Sequence, residues 1–183
     1  EVAGFTMLPL TWRSLYSQEK QHPGLARRAL SPYLNQGMLH RWALIDFALG
    51  QSDRHGGNLL MGPESDGNRI ALIDHGSAFA GTDFNPGHDA NSFVPYYLRV
   101  WAPNKGWSQA SPKERLGWLP VLHPATDSGL RDWVLSLNPD RLASELRRYG
   151  INPEPSVARL KAIQSALTGA ESASLILNRF WVE

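Results

Sequence analysis

Two short polar segments contain the side chains of this sequence best suited to chemistry, DRHGGN at 53–58 and DHG at 74–76. Asp53, Asn58 and Asp74 each offer an oxygen atom. A carboxylate together with an amide oxygen suits Mg²⁺, a hard cation that usually keeps one or two protein ligands beside water and substrate phosphates. We therefore expect Asn58 and Asp74 to bind Mg²⁺, and Asp53 to orient or deprotonate an attacking hydroxyl group.

A nearly apolar helix is predicted just before the first segment, over residues 36–49. Its apolar residues at helical spacing are Met38, Trp42, Ile45 and Leu49. Most of its other positions are apolar too, so we expect it to be buried on most sides. The sequence GQS at 50–52 ends this helix, and 53–58 is too polar and too rich in glycine to be a core element. It is predicted to be an exposed, shaped loop.

Two short apolar runs at 59–61 and 70–73 come next, separated by a stretch rich in turn-forming residues. This pattern predicts a two-stranded hairpin. Antiparallel pairing would bring Asn58 and Asp74 to the same end of the ribbon, where both could touch one ion. With Asp53 on the same loop, this arrangement suits phosphoryl transfer, in which the protein mainly positions the reactants and neutralises charge.

The two segments resemble the catalytic loop and the metal-binding motif of the phosphatidylinositol 3-/4-kinase-like branch of the kinase superfamily. That branch has Asp-Arg-His-x-x-Asn where ordinary protein kinases have His-Arg-Asp-x-x-x-x-Asn. Here the motif reads DRHGGN, and IDHG occurs at 73–76 in place of Asp-Phe-Gly. The resemblance covers about 25 residues, from Gly50 to Gly76.

The resemblance implies a role for each matching position. Asp53 would be the catalytic-loop aspartate, His55 would help to activate the nucleophile or steady the transferring phosphoryl group, and Arg54 would brace the loop. The nucleotide site would contain Asn58, Asp74 and Gly76, with Asn58 and Asp74 as the metal ligands. The implied cofactors are ATP and Mg²⁺.

The resemblance also implies an α+β, mostly helical fold, the C-terminal lobe of a protein-kinase-like fold whose small β-hairpin carries both motifs. Residues 1–10 are interpreted as the hinge or last strand of a missing N-terminal lobe, and residues 11–183 as the C-terminal lobe. A helix is predicted to begin at Thr11. No Gly-rich phosphate loop or strand lysine of the N-terminal lobe is recognisable, so we expect the isolated chain to be inactive without that lobe.

Further helices are predicted in the last third of the chain. One carries an apolar stripe of Leu130, Trp133, Val134 and Leu137. The next has Asn138 as its cap and Pro139 at its first position, and stops at Gly150. A third is predicted from about residue 155, with Val157, Leu160, Gln164 and Leu167 on one face. The stripe of a fourth is Ala173, Ile176, Leu177 and Phe180.

Composition narrows the classes of function. The 183 residues carry 18 basic and 17 acidic side chains, a net charge of +1, which gives no general attraction for nucleic acid. There is no predicted transmembrane segment. The absence of cysteine fits a reducing compartment, so a cytoplasmic location is expected, with a secreted effector as the alternative.

The acceptor substrate stays open between a protein and phosphatidylinositol. Residues 77–100 contain Asp83 and Asp89 but only one lysine or arginine, Arg99. A densely anionic inositide head group would require more basic residues there, so this composition favours a protein hydroxyl. A catalytically silent kinase-lobe binding module is the alternative from another class.

Simpler interpretations of the same residues exist. Asp53 and Asn58 could be turn residues, because aspartate and asparagine are common in loops, and Asp74 could begin a turn. His55 could pack against the loop without a direct catalytic role. A transition-metal cluster of His55, His75, His88 and Asp89 matches no familiar ligand spacing. The tryptophans at 101, 107 and 118 are expected to be core or surface aromatics rather than a ligand cage.

Overall fold

A computed structural model describes residues 24–51, 58–61, 70–72, 78, 96–102 and 107–182. This part of the chain is mostly helical, as expected. Its α-helices are α1 (Leu25–Asn35), α2 (Met38–Leu49), α3 (Tyr96–Arg99), α4 (Pro112–Trp118), α5 (Pro124–Ser136), α6 (Pro139–Arg148), α7 (Glu154–Ala166) and α8 (Ala173–Val182). A 3₁₀-helix spans Trp107–Gln109, and the two strands are β1 (Leu59–Met61) and β2 (Ile70–Leu72). The predicted elements at 1–10 and from Thr11 lie outside the described residues.

Helix α1 was not predicted from the sequence. It carries Pro32 in its interior, and proline usually marks the end of a helix because it lacks an N–H group and clashes with the preceding turn. Tertiary packing compensates here, since Ala26 and Leu30 of α1 are almost fully buried. Pro32 itself is on the exposed side of the helix.

Helix α2 begins two residues later than predicted and ends where predicted, at Leu49. It is buried on most sides, which confirms the expectation. Its buried residues are Leu39, His40, Ala43, Leu44, Asp46, Phe47 and Ala48. The stripe identified in the sequence lies on the least buried side, where Ile45 is 38% exposed. In a helix with so many apolar positions, periodicity alone does not select the face that packs inward.

Strands β1 and β2 pair antiparallel, with Leu59 opposite Leu72 and Met61 opposite Ile70. The two strands therefore form where the apolar runs predicted them. The segment 62–69 and residue 73, which the prediction placed in the turn and in the second strand, lie outside the described residues.

Local chemistry sets the boundaries of the later helices. The Asn138 side chain accepts hydrogen bonds from the backbone N–H groups of Asp140 and Arg141, and Pro139 comes directly after it as predicted. At the other end of α6, Gly150 adopts a positive φ of 71°. The N–H of Gly150 donates to the carbonyl of Arg147, and that of Ile151 to the carbonyl of Leu146, the bonding pattern of a Schellman motif.

Helix α4 was not predicted, although its start carries a local signal. Ser111 and Glu114 form a capping box, with Pro112 in the first turn, and such a box identifies a helix start from sequence. The surrounding sequence is rich in glycine, proline and aromatic residues, a composition typical of loops. The capping box is the signal that would have corrected this.

The core is organised around α8, which contacts α2, α4, α5 and α7. Ala173 and Leu177 of α8 are completely buried and Trp181 is 1% exposed, so the predicted stripe of this helix does face the core. Phe180 and the tryptophans at 101 and 107 are partly buried against the same cluster. No helix among the described residues is both long and apolar enough to cross a membrane.

Candidate functional site

Of the predicted site residues, the structure describes Asn58. The others, Asp53, Arg54, His55, Asp74 and Gly76, lie outside the described residues, as do His75, His88 and Asp89. What the structure provides is the surroundings of the predicted loop: the end of α2, Asn58 itself, and the two strands beyond it.

A glycine ends α2 and turns the chain toward the predicted loop. Gly50 has a positive φ of 68°, a conformation that costs little only in glycine. Its N–H donates to the carbonyl of Phe47 at 3.1 Å, and the N–H of Gln51 donates to the carbonyl of Asp46 at 2.8 Å. These two bonds satisfy carbonyls at the helix end. Gln51, the last described residue before the loop, is 3% exposed.

Arg159 of α7 braces this turn from more than one hundred residues away. Its guanidinium donates to the carbonyl of Ala48 at 3.1 Å, and burial lowers its pKa below the ordinary value. A Cβ atom placed on Gly50 would lie 2.9 Å from the Arg159 Nη1 atom, closer than side-chain atoms normally approach. Gly50 is therefore favoured both by its backbone conformation and by the arginine beside it.

A buried carboxylate lies in the last turns of α2. Asp46 is 3% exposed and accepts a hydrogen bond from the hydroxyl of Tyr97 at 3.2 Å. Tyr97 of α3 is itself 1% exposed and meets the Trp42 ring edge to face at 6.0 Å. This contact attaches α3 to the helix that leads into the predicted loop. In the sequence, Asp46 is a single acidic residue between the apolar Ile45 and Phe47. Its structural role was not predicted.

Asn58 is 4% exposed and directly precedes β1. The burial of an amide side chain requires hydrogen-bonding or ligand partners, since an unsatisfied buried amide is costly. The β1–β2 register pairs Leu59 with Leu72. Asn58 therefore lies at the end of the ribbon from which the chain leaves β2 toward residue 74.

The described residues contain no cluster of metal-binding side chains. Within the ranges that the structure describes, no group of three or more histidine, aspartate or glutamate side chains could hold a metal ion. Asp53 and Asp74 fall outside those ranges.

Comparison of the chain with protein families, with curated proteins and with solved structures found no match.

Proposed function

We propose that this chain is the C-terminal catalytic lobe of a kinase-like phosphotransferase that uses ATP and Mg²⁺ and transfers phosphate to a protein hydroxyl group. The proposal rests on the order of the two motifs and on one observation from the structure. That observation is the antiparallel register of β1 and β2, which pairs Leu59 with Leu72.

The register supports a shared ion because it brings the two ligand-bearing stretches to one end of the ribbon. Asn58 immediately precedes Leu59, and Asp74 comes two residues after Leu72. Consecutive Cα atoms are about 3.8 Å apart, so the chain gives Asp74 a reach of less than about 8 Å from Leu72. A parallel pair or a shifted register would have separated the two stretches along the ribbon.

The anchoring of the loop's first end also supports catalysis. Phosphoryl transfer depends on positioning the nucleophile in line with the transferring group. The turn at Gly50, the Arg159 bond to Ala48 and the buried Asp46–Tyr97 pair hold the helix end from which the loop starts. A fixed helix end of this kind would favour a defined position for the catalytic residues that follow it in the sequence.

The proposed roles are those that the resemblance implies. Asp53 would orient the acceptor hydroxyl and receive its proton, His55 would steady the transferring phosphoryl group, and Arg54 would brace the loop. Asn58 and Asp74 would hold the metal beside the DHG segment that ends at Gly76. Bound Mg²⁺ would neutralise charge on the nucleotide phosphates.

A protein acceptor is favoured by the scarcity of basic residues after the metal motif, where 77–100 contains a single arginine and no lysine. Phosphatidylinositol is the alternative acceptor. A binding module without catalysis is the alternative from another class. Separate measurements of metal binding, of phosphate transfer to protein and of phosphate transfer to lipid distinguish these three functions.

Metal binding by the chain itself tests the site. Mn²⁺ in the presence of ATP should broaden the NMR signals of the Asn58 side-chain amide, because a paramagnetic ion relaxes nearby nuclei. Asp74→Asn should weaken this effect by roughly tenfold or more, since a carboxylate ligand contributes charge that an amide does not. Asp132→Asn, an exposed carboxylate on α5, is the matched control and should leave it unchanged. Equal broadening in both variants would show that the metal site is wrongly assigned.

Catalysis is tested in the protein that contains both this lobe and an ATP-covering lobe. Radiolabel from the γ-phosphate of ATP should reach a protein acceptor, and Asp53→Asn should reduce the rate by at least roughly a hundredfold. Labelling of phosphatidylinositol vesicles instead would identify a lipid kinase. Metal and nucleotide binding without transfer to either acceptor would identify a binding module.

A further inference from the structure

An apolar groove lies along α2, where the buried core meets the surface. It has a volume of about 490 Å³ and is walled by α2, α5 and α6, with Leu160 of α7 at its base. Ile45 and Leu49 of α2 line it together with Trp133 of α5 and Leu142 of α6. Ile45 and Leu49 belong to the apolar stripe seen in the sequence, and neither is part of the buried core cluster.

The groove lining contains one cationic side chain, Arg141, and one acidic side chain, Glu145. Arg141 lines the rim, and within the described part of the chain its guanidinium forms no ion pair or side-chain hydrogen bond. Glu145, an acidic residue on the same wall, is paired with Arg148 at 3.0 Å. An anionic group at the rim would therefore find positive charge that is not already neutralised.

The dimensions favour a small molecule over a protein partner. The groove is lined by twelve residues, whereas a standard protein interface uses roughly 20–30 on each side. Its volume of about 490 Å³ falls within the range of about 300–1,000 Å³ that is usual for ligand sites. Such sites are mostly apolar, with a few polar groups that fix the orientation of the ligand.

We propose that this groove binds a fatty-acid-like amphiphile, a single alkyl chain ending in a carboxylate. The chain would lie along Ile45, Leu49 and Leu142, and the carboxylate would accept hydrogen bonds from Arg141. Guanidinium and carboxylate form charge-assisted, often bidentate hydrogen bonds. The site does not depend on the proposed kinase function, because none of its residues belongs to the two motifs.

Calorimetric titration with dodecanoate, below the concentration at which it forms micelles, tests the proposal. Dodecanoate should bind with one-to-one stoichiometry, and dodecyltrimethylammonium, with the same chain and the opposite charge, should bind at least roughly tenfold more weakly. Arg141→Glu should weaken dodecanoate binding by roughly tenfold or more. Lys113→Glu makes the same change of charge at an exposed position of α4 that does not line the groove, and it should have no such effect.

Localisation of the ligand completes the test. Dodecanoate should shift the NMR signal of the Trp133 indole N–H and leave that of Trp118, which packs against Trp107, in place. Ile45→Glu should weaken dodecanoate binding, because it puts a carboxylate against the alkyl chain at a position that is 38% exposed and so tolerates the change. The proposal fails if dodecanoate does not bind, if the cationic probe binds as tightly, or if Arg141→Glu and Lys113→Glu behave alike.

Discussion

Acidification should destabilise this protein through His40, a histidine buried in α2. Its side chain is 0% exposed, and neither ring nitrogen has a hydrogen-bond partner among the described residues. Burial lowers the pKa of His40 from 6.5 to about 4. The Pro120 carbonyl, the Asp127 carboxylate and the Asn178 side chain favour the protonated form, but neither Pro120 nor Asn178 makes a hydrogen bond of normal geometry with the ring. The effect of burial on the pKa therefore exceeds that of these three groups, and His40 is neutral in the folded protein at neutral pH.

The sign and size of the effect come from linkage between protonation and folding. The unfolded chain takes up a proton near pH 6.5, whereas the folded chain resists it until about pH 4. The contribution of neutral His40 to the free energy of unfolding is therefore fully present above about pH 6.5, and it is lost progressively as the pH falls toward 4. One pKa unit corresponds to about 1.4 kcal/mol, so the full loss is roughly 3 kcal/mol. Between pH 7 and pH 5 it is roughly 2 kcal/mol.

Urea unfolding at pH 7, 6 and 5 measures this loss in the native chain and in His40→Leu. Leucine fills a similar space without a titrating group, so its stability should lack the part of the pH dependence that His40 causes. The difference between the two pH profiles is the quantity to compare, because it removes the contributions of the other histidines. His123→Leu, at an exposed position, should keep the native profile. Parallel profiles for the native chain and His40→Leu would refute the reasoning.

Two further predictions concern contacts that fix the helix ends. The Asp127 carboxylate accepts hydrogen bonds from two backbone N–H groups at the start of α8, at 2.7 and 2.8 Å. Asp127→Ala should therefore lower the free energy of unfolding by roughly 2–4 kcal/mol, whereas Asp132→Ala, exposed on the same helix, should change it by less than about 0.5 kcal/mol in urea unfolding. Gly50→Ala should cost roughly 1–3 kcal/mol because it combines a positive φ with displacement of Arg159. Gly150→Ala has a similar φ but open space around the new methyl group, so equal losses of stability would show that the Arg159 contact is unimportant.

The ends of several helices were predictable because their determinants are local. Asn138, Pro139 and Gly150 bound α6 in the sequence and in the structure, since a cap and a positive-φ glycine act within a few residues of the chain. The capping box of Ser111 and Glu114 is equally local. The start of α4 was therefore predictable from the sequence, although it was not predicted.

Helix α1 represents the opposite case, in which a local rule gave way to packing. Pro32 argues against a helix at that position, but Leu30 is fully buried and Ala26 is 2% exposed. Burying aliphatic side chains offsets much of the cost of one interrupted hydrogen bond. Arg27 adds to this, because its guanidinium donates to the carbonyl of Val100 at 2.8 Å and to that of Trp101 at 3.1 Å. Neither partner is near Arg27 in the sequence.

The surroundings of the predicted loop show the same limit. The apolar runs predicted the two strands, whereas the site residues indicated by the motif remain a prediction. Arg159 stabilises the turn at Gly50 by donating to the carbonyl of Ala48. The hydroxyl of Tyr97, 51 residues further along the chain, donates to Asp46. No periodicity or spacing in a single sequence indicates such pairs, since each depends on how the helices pack.

The rotation of helix α2 about its own axis could not be predicted from hydropathy. Nine of its twelve positions are apolar, so several rotations would bury a comparable set of side chains. The rotation that is observed buries His40 beside the Trp181 ring of α8, with 5.7 Å between ring centres, and Asp46 against Tyr97. Both contacts bury polar groups, yet the opposite rotation would expose Leu39 and Phe47 instead. Ile45 and Leu49 are thereby left outside the core cluster, and they line the groove for which we propose a ligand.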